Sequence, residues 1–206
     1  MNKKLAEFIG IMLGDGNLGI YNSEVDGKIK TQNRIRISLD SRNNNYLKHV
    51  YYLMKEVLNV EPKIHYKEKE NVVDIGIYRK DKFFFLRDEL GLKESPKVNC
   101  MEIPKEYFES EFANYVLKGL FDTDGCLSIF NNNGVLYPRI EIKVCPSPAQ
   151  KQFLEVLDRL GFNYKVQNLN RKWIRIRISG KKELKKWFDL IGSSNKIHLD
   201  KAHNFI

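Results

Sequence analysis

Cysteine is scarce in this chain. There are three, Cys100, Cys126 and Cys145, odd in number and widely spaced, with no Cys-x-x-Cys pair. That excludes a disulfide framework, argues against a zinc centre and suits a reduced compartment. Histidine is thin as well, four residues in 206, and none lies near the Asp-Gly pairs at 15–16 and 124–125. No apolar run is long enough to span a bilayer, because the longest near the N-terminus is broken by Glu7. No signal-peptide layout precedes it, and nothing is of low complexity. The chain is therefore expected off the membrane and inside the cell, in a cytoplasm, a nucleoid or an organellar matrix. Acidic residues are in deficit, 26 against 35 lysines and arginines, for a net charge of +9 and a pI near 9.3. Such a balance gives the chain affinity for polyanions.

What is present is a repeat, and repeats outrank other signals in deciding a fold. Residues 8–16, FIGIMLGDG, and 117–125, LKGLFDTDG, are apolar helical runs with glycine at the third position and Asp-Gly at the end. The order of elements after each motif is also shared. After Asp15 come strands expected at 18–21 and 34–40, a helix at 43–58, strands at 63–67 and 72–78, and a helix at 81–90. After Asp124 come strands at 127–130 and 139–144, a helix at 147–160, strands at 164–168 and 172–179, and a helix at 182–190. Period-two alternation marks the strands, and Ser147-Pro148 and Gly161 sit where a helix starts and stops. The expected class is α+β, with two pseudo-symmetric αββαββα repeats at 1–95 and 111–206. A segment at 96–110, ordered rather than flexible, joins them. Each repeat is small for a self-sufficient core, so the two are expected to share an interface.

Basic residues alternate with apolar ones along the strands. Arg34 and Arg36 flank Ile35 and Ile37; Lys63, His65 and Lys67 alternate; Arg139 and Lys143 bracket Ile140 and Ile142. Lys165 and Gln167, and Arg175 and Arg177, follow suit. Any antiparallel sheet has a solvated polar face. Basic faces on matching strands of both copies point instead to nucleic acid, where cations displace condensed counterions and polar side chains read base edges.

In the first motif Ala6, Gly10 and Gly14 recur every four residues and share one helix face; in the second, Gly119 and Thr123 take the places of Gly10 and Gly14. Small residues in such a stripe let two helix backbones approach. If they do, the two Asp-Gly ends arrive side by side, and Gly16 and Gly125 are expected in the left-handed conformation that glycine favours past a helix end. Asp15 and Asp124 would then repel each other at helix C-termini, each carrying roughly half a negative charge from the dipole. A divalent cation relieves that repulsion, and hard oxygen donors suit Mg²⁺.

The pattern resembles the LAGLIDADG homing endonucleases, in their single-chain form with two motif copies. The resemblance covers nearly the whole chain through the element order and is most specific at 8–16 and 117–125. It implies motif helices at the central interface and two antiparallel sheets forming a DNA-binding saddle in the major groove. It further implies a monomer that makes double-strand breaks with short 3′ overhangs at a long asymmetric site, in the service of intron homing. The last acid of each motif, Asp15 and Asp124, would hold Mg²⁺, a site that Mn²⁺ or Ca²⁺ can also occupy, with backbone carbonyls of Gly14 and Thr123 completing the shell. Lys97 and Lys196, at matching places after the final helix of each copy, would stand near the scissile phosphate.

The implied DNA-facing set is Tyr21, Arg34, Arg36, Ser38, Asp40, Lys63, His65 and Lys67 in the first repeat. In the second it is Phe130, Arg139, Glu141, Lys143, Lys165, Gln167, Arg175 and Arg177. The chain departs from the family at the end of the second strand of each copy, where a Gln or Lys is common and Asp40 and Cys145 stand here. Arg42 and Lys143 are the substitutes at hand. Asp122 faces away from the Asp124 side of its helix and is expected to be structural, as are His198 and His203. Two other functions use the same scaffold: a maturase that binds intron RNA, and a non-catalytic DNA-binding regulator. Retention of both acids favours the nuclease. An intein-embedded origin is not expected, since no flanking splicing segments are present.

Overall fold

The computed structural model describes residues 2–67, 70–170 and 173–206. Helix α1 (Lys3–Leu13) opens on Asn2, whose side chain accepts from the Leu5 amide at 2.7 Å, satisfying one of the free N–H groups of the first turn. Strands β1 (Gly16–Val25) and β2 (Lys28–Asp40) follow, then α2 (Asn44–Leu58), β3 (Lys63–Lys67), β4 (Val72–Ile77) and α3 (Lys80–Phe84), which runs into a π turn over Phe85–Glu89. After α4 (Lys105–Phe108) the order recurs as α5 (Ala113–Asp124), β5 (Gly125–Asn132), β6 (Val135–Val144), α6 (Pro148–Arg159), β7 (Tyr164–Asn170), β8 (Trp173–Ser179) and α7 (Lys181–Leu190). Helix α8 (Lys196–Ala202) closes the chain. Of the strand expected at 172–179, Lys172 lies outside the described residues. The α+β class and the doubled αββαββα order therefore hold, with α4 and α8 as additions.

Each repeat carries a four-stranded antiparallel sheet, ordered β1-β2-β4-β3 and β5-β6-β8-β7. The first hairpin of each runs well beyond the segments that alternate. Its turns are Asp26-Gly27, with φ of 54° and 69°, and Asn133-Gly134, with φ of 50° and 85°. Positive φ at both central residues is the two-residue turn whose twist matches a hairpin. Near the tips no core lies beneath the strands, so the period-two signal lapses there; Ile29 is 77% exposed. Over the sheet centres the alternation is clean. Ile35, Ile37, Ile75, Ile140, Ile142 and Ile176 are buried, in one core with Leu47, Val50 and Met54 of α2 and Phe153 and Leu157 of α6.

The two repeats meet at α1 and α5. A Cβ on Gly10 would lie 2.0 Å from the Val116 carbonyl oxygen, and one on Gly119 would lie 2.2 Å from that of Glu7. These helices touch through their backbones, and neither glycine leaves room for a methyl. Across the same interface Lys118 Nζ donates to Glu7 at 3.0 Å, and His49 from α2 contacts the other carboxylate oxygen at 2.7 Å.

Gly16 and Gly125 correct an expectation. Neither has positive φ, and Gly125 is extended at φ −94° and ψ 161°. Glycine is needed there for space: a Cβ would lie 2.5 Å from the Met12 carbonyl oxygen or 2.3 Å from that of Phe121. The strand leaves each helix so sharply that only hydrogen fits against the preceding turn.

The joining segment is tied to both repeats. Lys97 Nζ donates to the Leu13 carbonyl at 2.9 Å, and the Ala149 amide donates to the Met101 carbonyl at 2.9 Å. Gln152 brackets Ile103 with bonds of 2.8 and 3.0 Å.

Gly119→Ala should cost about 3 kcal/mol or more, because the overlap is with backbone that cannot turn aside. Gly161→Ala, where φ is +68° and nothing lies within 4 Å of the added carbon, should cost only about 1 kcal/mol of conformational strain. Urea denaturation of the two variants measures the contrast, and equal losses would contradict the close-contact account.

Candidate functional site

The helix contact carries Asp15 and Asp124 to one place. Asp15 follows Gly14, the C-terminal cap of α1, and Asp124 is the last residue of α5. A Cβ on Gly14 would meet Thr123 Oγ1 at 2.0 Å and Asp124 Oδ2 at 3.2 Å. Thr123 turns its hydroxyl back onto its own helix, donating to Leu120 at 3.0 Å or Gly119 at 3.2 Å.

The electrostatics follow from that convergence. Burial, and then the like charge of Asp15, push the Asp124 carboxyl up to about 7 against an opposing pull from Lys97. Asp124 is exposed on one side while the ends of both helices crowd the other, and desolvation on that crowded side sets the upward direction. Burial also raises Asp15, again opposed by Lys97. Burial brings Lys97 itself down to about 8, with Asp124 and then Asp15 resisting. The Lys97 ammonium donates to the carbonyls of Met12 at 2.7 Å, Leu13 at 2.9 Å and Gly14 at 2.8 Å. It thereby caps α1 where the dipole is negative, and any further ligand of the Gly14 carbonyl must share it.

Lys196 is placed differently. It begins α8 and donates to Asp200 at 2.7 Å on an exposed helix face, and it does not figure among the charges bearing on Asp15 or Asp124. Sequence position makes the two lysines a pair; the fold does not. Asp122 is buried, accepts from the Ser194 amide at 2.6 Å and from Ser193 Oγ, and lies 3.4 Å from His198 Nδ1. Its backbone carbonyl accepts from Asn195 at 3.2 Å. These contacts anchor the α7–α8 segment to α5, which is the structural role expected of Asp122 and His198. Asp40 and Arg42 form an ion pair at 2.6 Å, so each is already partnered at the end of β2.

Two residues escaped sequence reasoning. Tyr46 is buried, and its hydroxyl has no partner among the described residues. Burial pushes its phenol well up, helped by the charges of Asp122, Glu7, Asp15 and Asp124. In the sequence it is one more apolar-face position of α2. The other is Asp74, buried on β4, which accepts from Ser38 at 2.6 Å and Arg36 at 3.2 Å, with Lys67 at 3.9 Å. Its position opposite Ser38 and His65 is a cross-strand relation, which the period-two pattern does not report.

The polar sheet faces carry most of the expected set. In the first repeat Arg34 lies over the Tyr21 ring, its Cζ 3.6 Å from the centroid, and His65 meets Tyr78 edge-on at 6.3 Å. β3 is exposed on both sides, so Lys63 and Lys67 are accessible. In the second repeat Arg139 lies over Phe130 at 4.3 Å, and Arg177 Nε donates to Glu141 at 2.7 Å. Register places Lys143 and Gln167 opposite Arg175, and Lys165 opposite Arg177. Among the described residues no group of three or more His, Cys, Asp or Glu could hold a metal ion; the acids at the helix ends are two. No described helix is long and apolar enough to cross a membrane.

Comparison with known proteins gives a consistent answer. The model of the LAGLIDADG DNA endonuclease family matches residues 7–185. The chain is 26% identical over 213 residues to the replication factor C small subunit of Methanocaldococcus jannaschii, covering 100% of this chain and 10% of that protein. It is 24% identical over 171 residues to a DNA polymerase of the same organism, covering 77% and 9%. The chain thus spans about a tenth of the length of the curated relatives it matches. It is similar in fold to the I-LtrWI LAGLIDADG homing endonuclease bound to target DNA, with a TM-score of 0.63 at 14% identity over 99% of this chain and 90% of that one. Mesophilic variants of the homing endonuclease I-DmoI also match, with a TM-score of 0.63 at 18% identity over 92% and 95%.

A carboxyl whose folded value is raised from 3.8 to about 7 binds its proton more tightly in the folded state. Its effect is neutral below about pH 4 and increasingly destabilising as pH rises to about 7. Asp124 is exposed on one side and solvent screens part of the effect, so in EDTA Asp124→Asn should melt modestly above wild type at pH 8, with the gap closing by pH 4. A pH-independent gap in calorimetric melts would refute the raised carboxyl.

Proposed function

This chain belongs to the LAGLIDADG DNA endonuclease family, and from that premise we propose that it makes metal-dependent double-strand breaks, with short 3′ overhangs, at a long asymmetric DNA site. The observation that carries the reading is the convergence of Asp15 and Asp124 at the ends of two helices in backbone contact.

The donors there fit Mg²⁺. Two carboxylates with raised proton affinity, beside the carbonyls of helix C-termini, are hard oxygen groups lacking positive charge, and Lys97 supplies part of it. Mn²⁺ and Ca²⁺ are accepted by the same donors. When bound, the metal supplies a polarised phosphodiester, an activated water and charge relief for the departing 3′ oxygen. Asp15 and Asp124 would hold it, one acid for each strand, with the carbonyls of Gly14 and Thr123 as further donors. Lys97 holds the end of α1 in place and presents its ammonium beside the acids, where charge develops on the phosphate. Among the described residues no histidine charge bears on either acid, which favours water over a side-chain base as the proton acceptor. The basic faces of the two sheets bind the duplex on either side and set the scissile phosphates over the acids.

Asp15→Asn and Asp124→Asn should each abolish double-strand cleavage while leaving DNA affinity within about threefold, since chemistry and phosphate binding use different groups. A supercoiled-plasmid assay with Mg²⁺ measures the first and gel shift the second; wild-type cutting of both strands by either variant would refute the assignment. Lys97→Met should slow cleavage about a hundredfold, as loss of one stabilising donor does. Lys196→Met, whose partner is Asp200, should have the milder effect, and equal losses would restore the symmetric view of the two lysines.

A further inference from the structure

The two sheets share a feature at one place in each repeat: an arginine stacked on an aromatic ring. Tyr21 and Phe130 are each the sixth residue after their motif acid. Arg34 stands opposite Gly19 and Arg139 opposite Ser128, in both cases the position two before the aromatic. The guanidinium-to-ring distances are 3.6 and 4.3 Å. The pairs are thus equivalent under the symmetry that relates the repeats.

Ring stacking separates them from the other sheet arginines; among the described residues Arg175 also lacks a carboxylate partner and has a buried, unpartnered Nε, but it lies over no ring. Arg36 is committed to Asp74 at 3.2 Å, and Arg177 to Glu141 at 2.7 Å. Among the described residues Arg34 has no carboxylate partner, and Arg139 has only a loose one, Nη1 lying 4.0 Å from the same Glu141 that Arg177 engages. Nε of both Arg34 and Arg139 is buried and unpartnered. Sealing Nε rules out side-on contacts, so the Nη1 and Nη2 end is the working fork. Stacking on the ring restrains the side chain while leaving those in-plane donors free. A restrained fork suits a planar pair of acceptors, which guanine O6 and N7 present in the major groove. A phosphate is bound equally well by a mobile cation such as Lys63 or Lys67 on the exposed edge strand.

We propose that Arg34 and Arg139 are matched guanine readers, one in each half-site, with Tyr21 and Phe130 as their positioning residues. The target then carries G·C pairs at equal distances from its centre, with the guanines on opposite strands, inside an otherwise asymmetric sequence. The inference rests on the endonuclease reading above.

The test is selection of bound and cleaved members from a randomised duplex library in Mg²⁺, using wild type, Arg34→Lys, Arg139→Lys, Tyr21→Leu and Phe130→Leu. Wild type should enrich guanine at two symmetric positions. Each Arg→Lys variant keeps its charge, and should keep its salt dependence, while losing about tenfold to a hundredfold of discrimination at one position only. Each aromatic variant should relax the same position as its arginine, a readout that mere loss of stability would not move. A uniform loss across sequences, an unchanged profile, or relaxed positions at unequal distances from the centre would overturn the proposal. A defined wild-type site that the lysine variants leave untouched sinks only this inference. Recovery of no DNA by wild type sinks the endonuclease reading with it.

Discussion

Everything in this molecule depends on two helices touching without side chains between them. At Gly10 and Gly119 the backbones of α1 and α5 are so close that a methyl group would overlap a carbonyl oxygen of the other helix. Ordinary helix packing holds axes about 8–10 Å apart through interposed side chains. Here glycine removes that spacer, and the C-termini are delivered together. A larger residue at either position would separate the acids as well as the repeats, so stability and site geometry are one constraint.

The same closeness makes the interface electrostatically unequal. At its inner part a buried pair, Glu7 with Lys118, joins the two helices, and His49 completes it. Burial alone would raise the Glu7 carboxyl, but the His49 contact and the Lys118 charge win and bring it down to about 2. At the outer end two carboxyls meet with one cation, Lys97, near them; burial raises both, and the like charge of Asp15 adds to the rise at Asp124. One end of the contact is charge-satisfied and fastens the halves; the other is left short of positive charge. The pseudo-symmetry is also broken by Lys97 and Lys196, one capping a motif helix and the other paired on a surface helix.

The sheet faces show a comparable division. Asp74 and Glu141 sit among the cations and engage Arg36, Ser38 and Arg177. These acids reduce the positive charge of the face but fix the directions of its donors. Arg34 and Arg139 are fixed by another means, stacking on rings, with Arg139 only loosely paired to Glu141 at 4.0 Å. A face built this way holds some donors in fixed directions through acids and others through rings.

Much of this was legible along the chain. The doubled motif, the element order and the buried isoleucines follow from periods and caps, because each is a short-range relation between neighbours on one helix or strand; the small-residue stripes permitted the convergence of Asp15 with Asp124, but the packing of α1 on α5 delivered it. The long hairpins were marked by Asp26-Gly27 and Asn133-Gly134, yet their strands leave the core and lose alternation. The reason Gly16 and Gly125 must be glycine was hidden, since the obstacle is space against a helix turn rather than φ. Hidden too were the partners of Lys97, Lys196, Asp74 and Tyr46, each drawn from another element. Identical local sequence logic put Lys97 on three carbonyls of α1 and Lys196 on Asp200. Local patterns set which face a residue shares; which atoms it meets across that face depends on how distant segments pack, and no spacing in the chain encodes that distance.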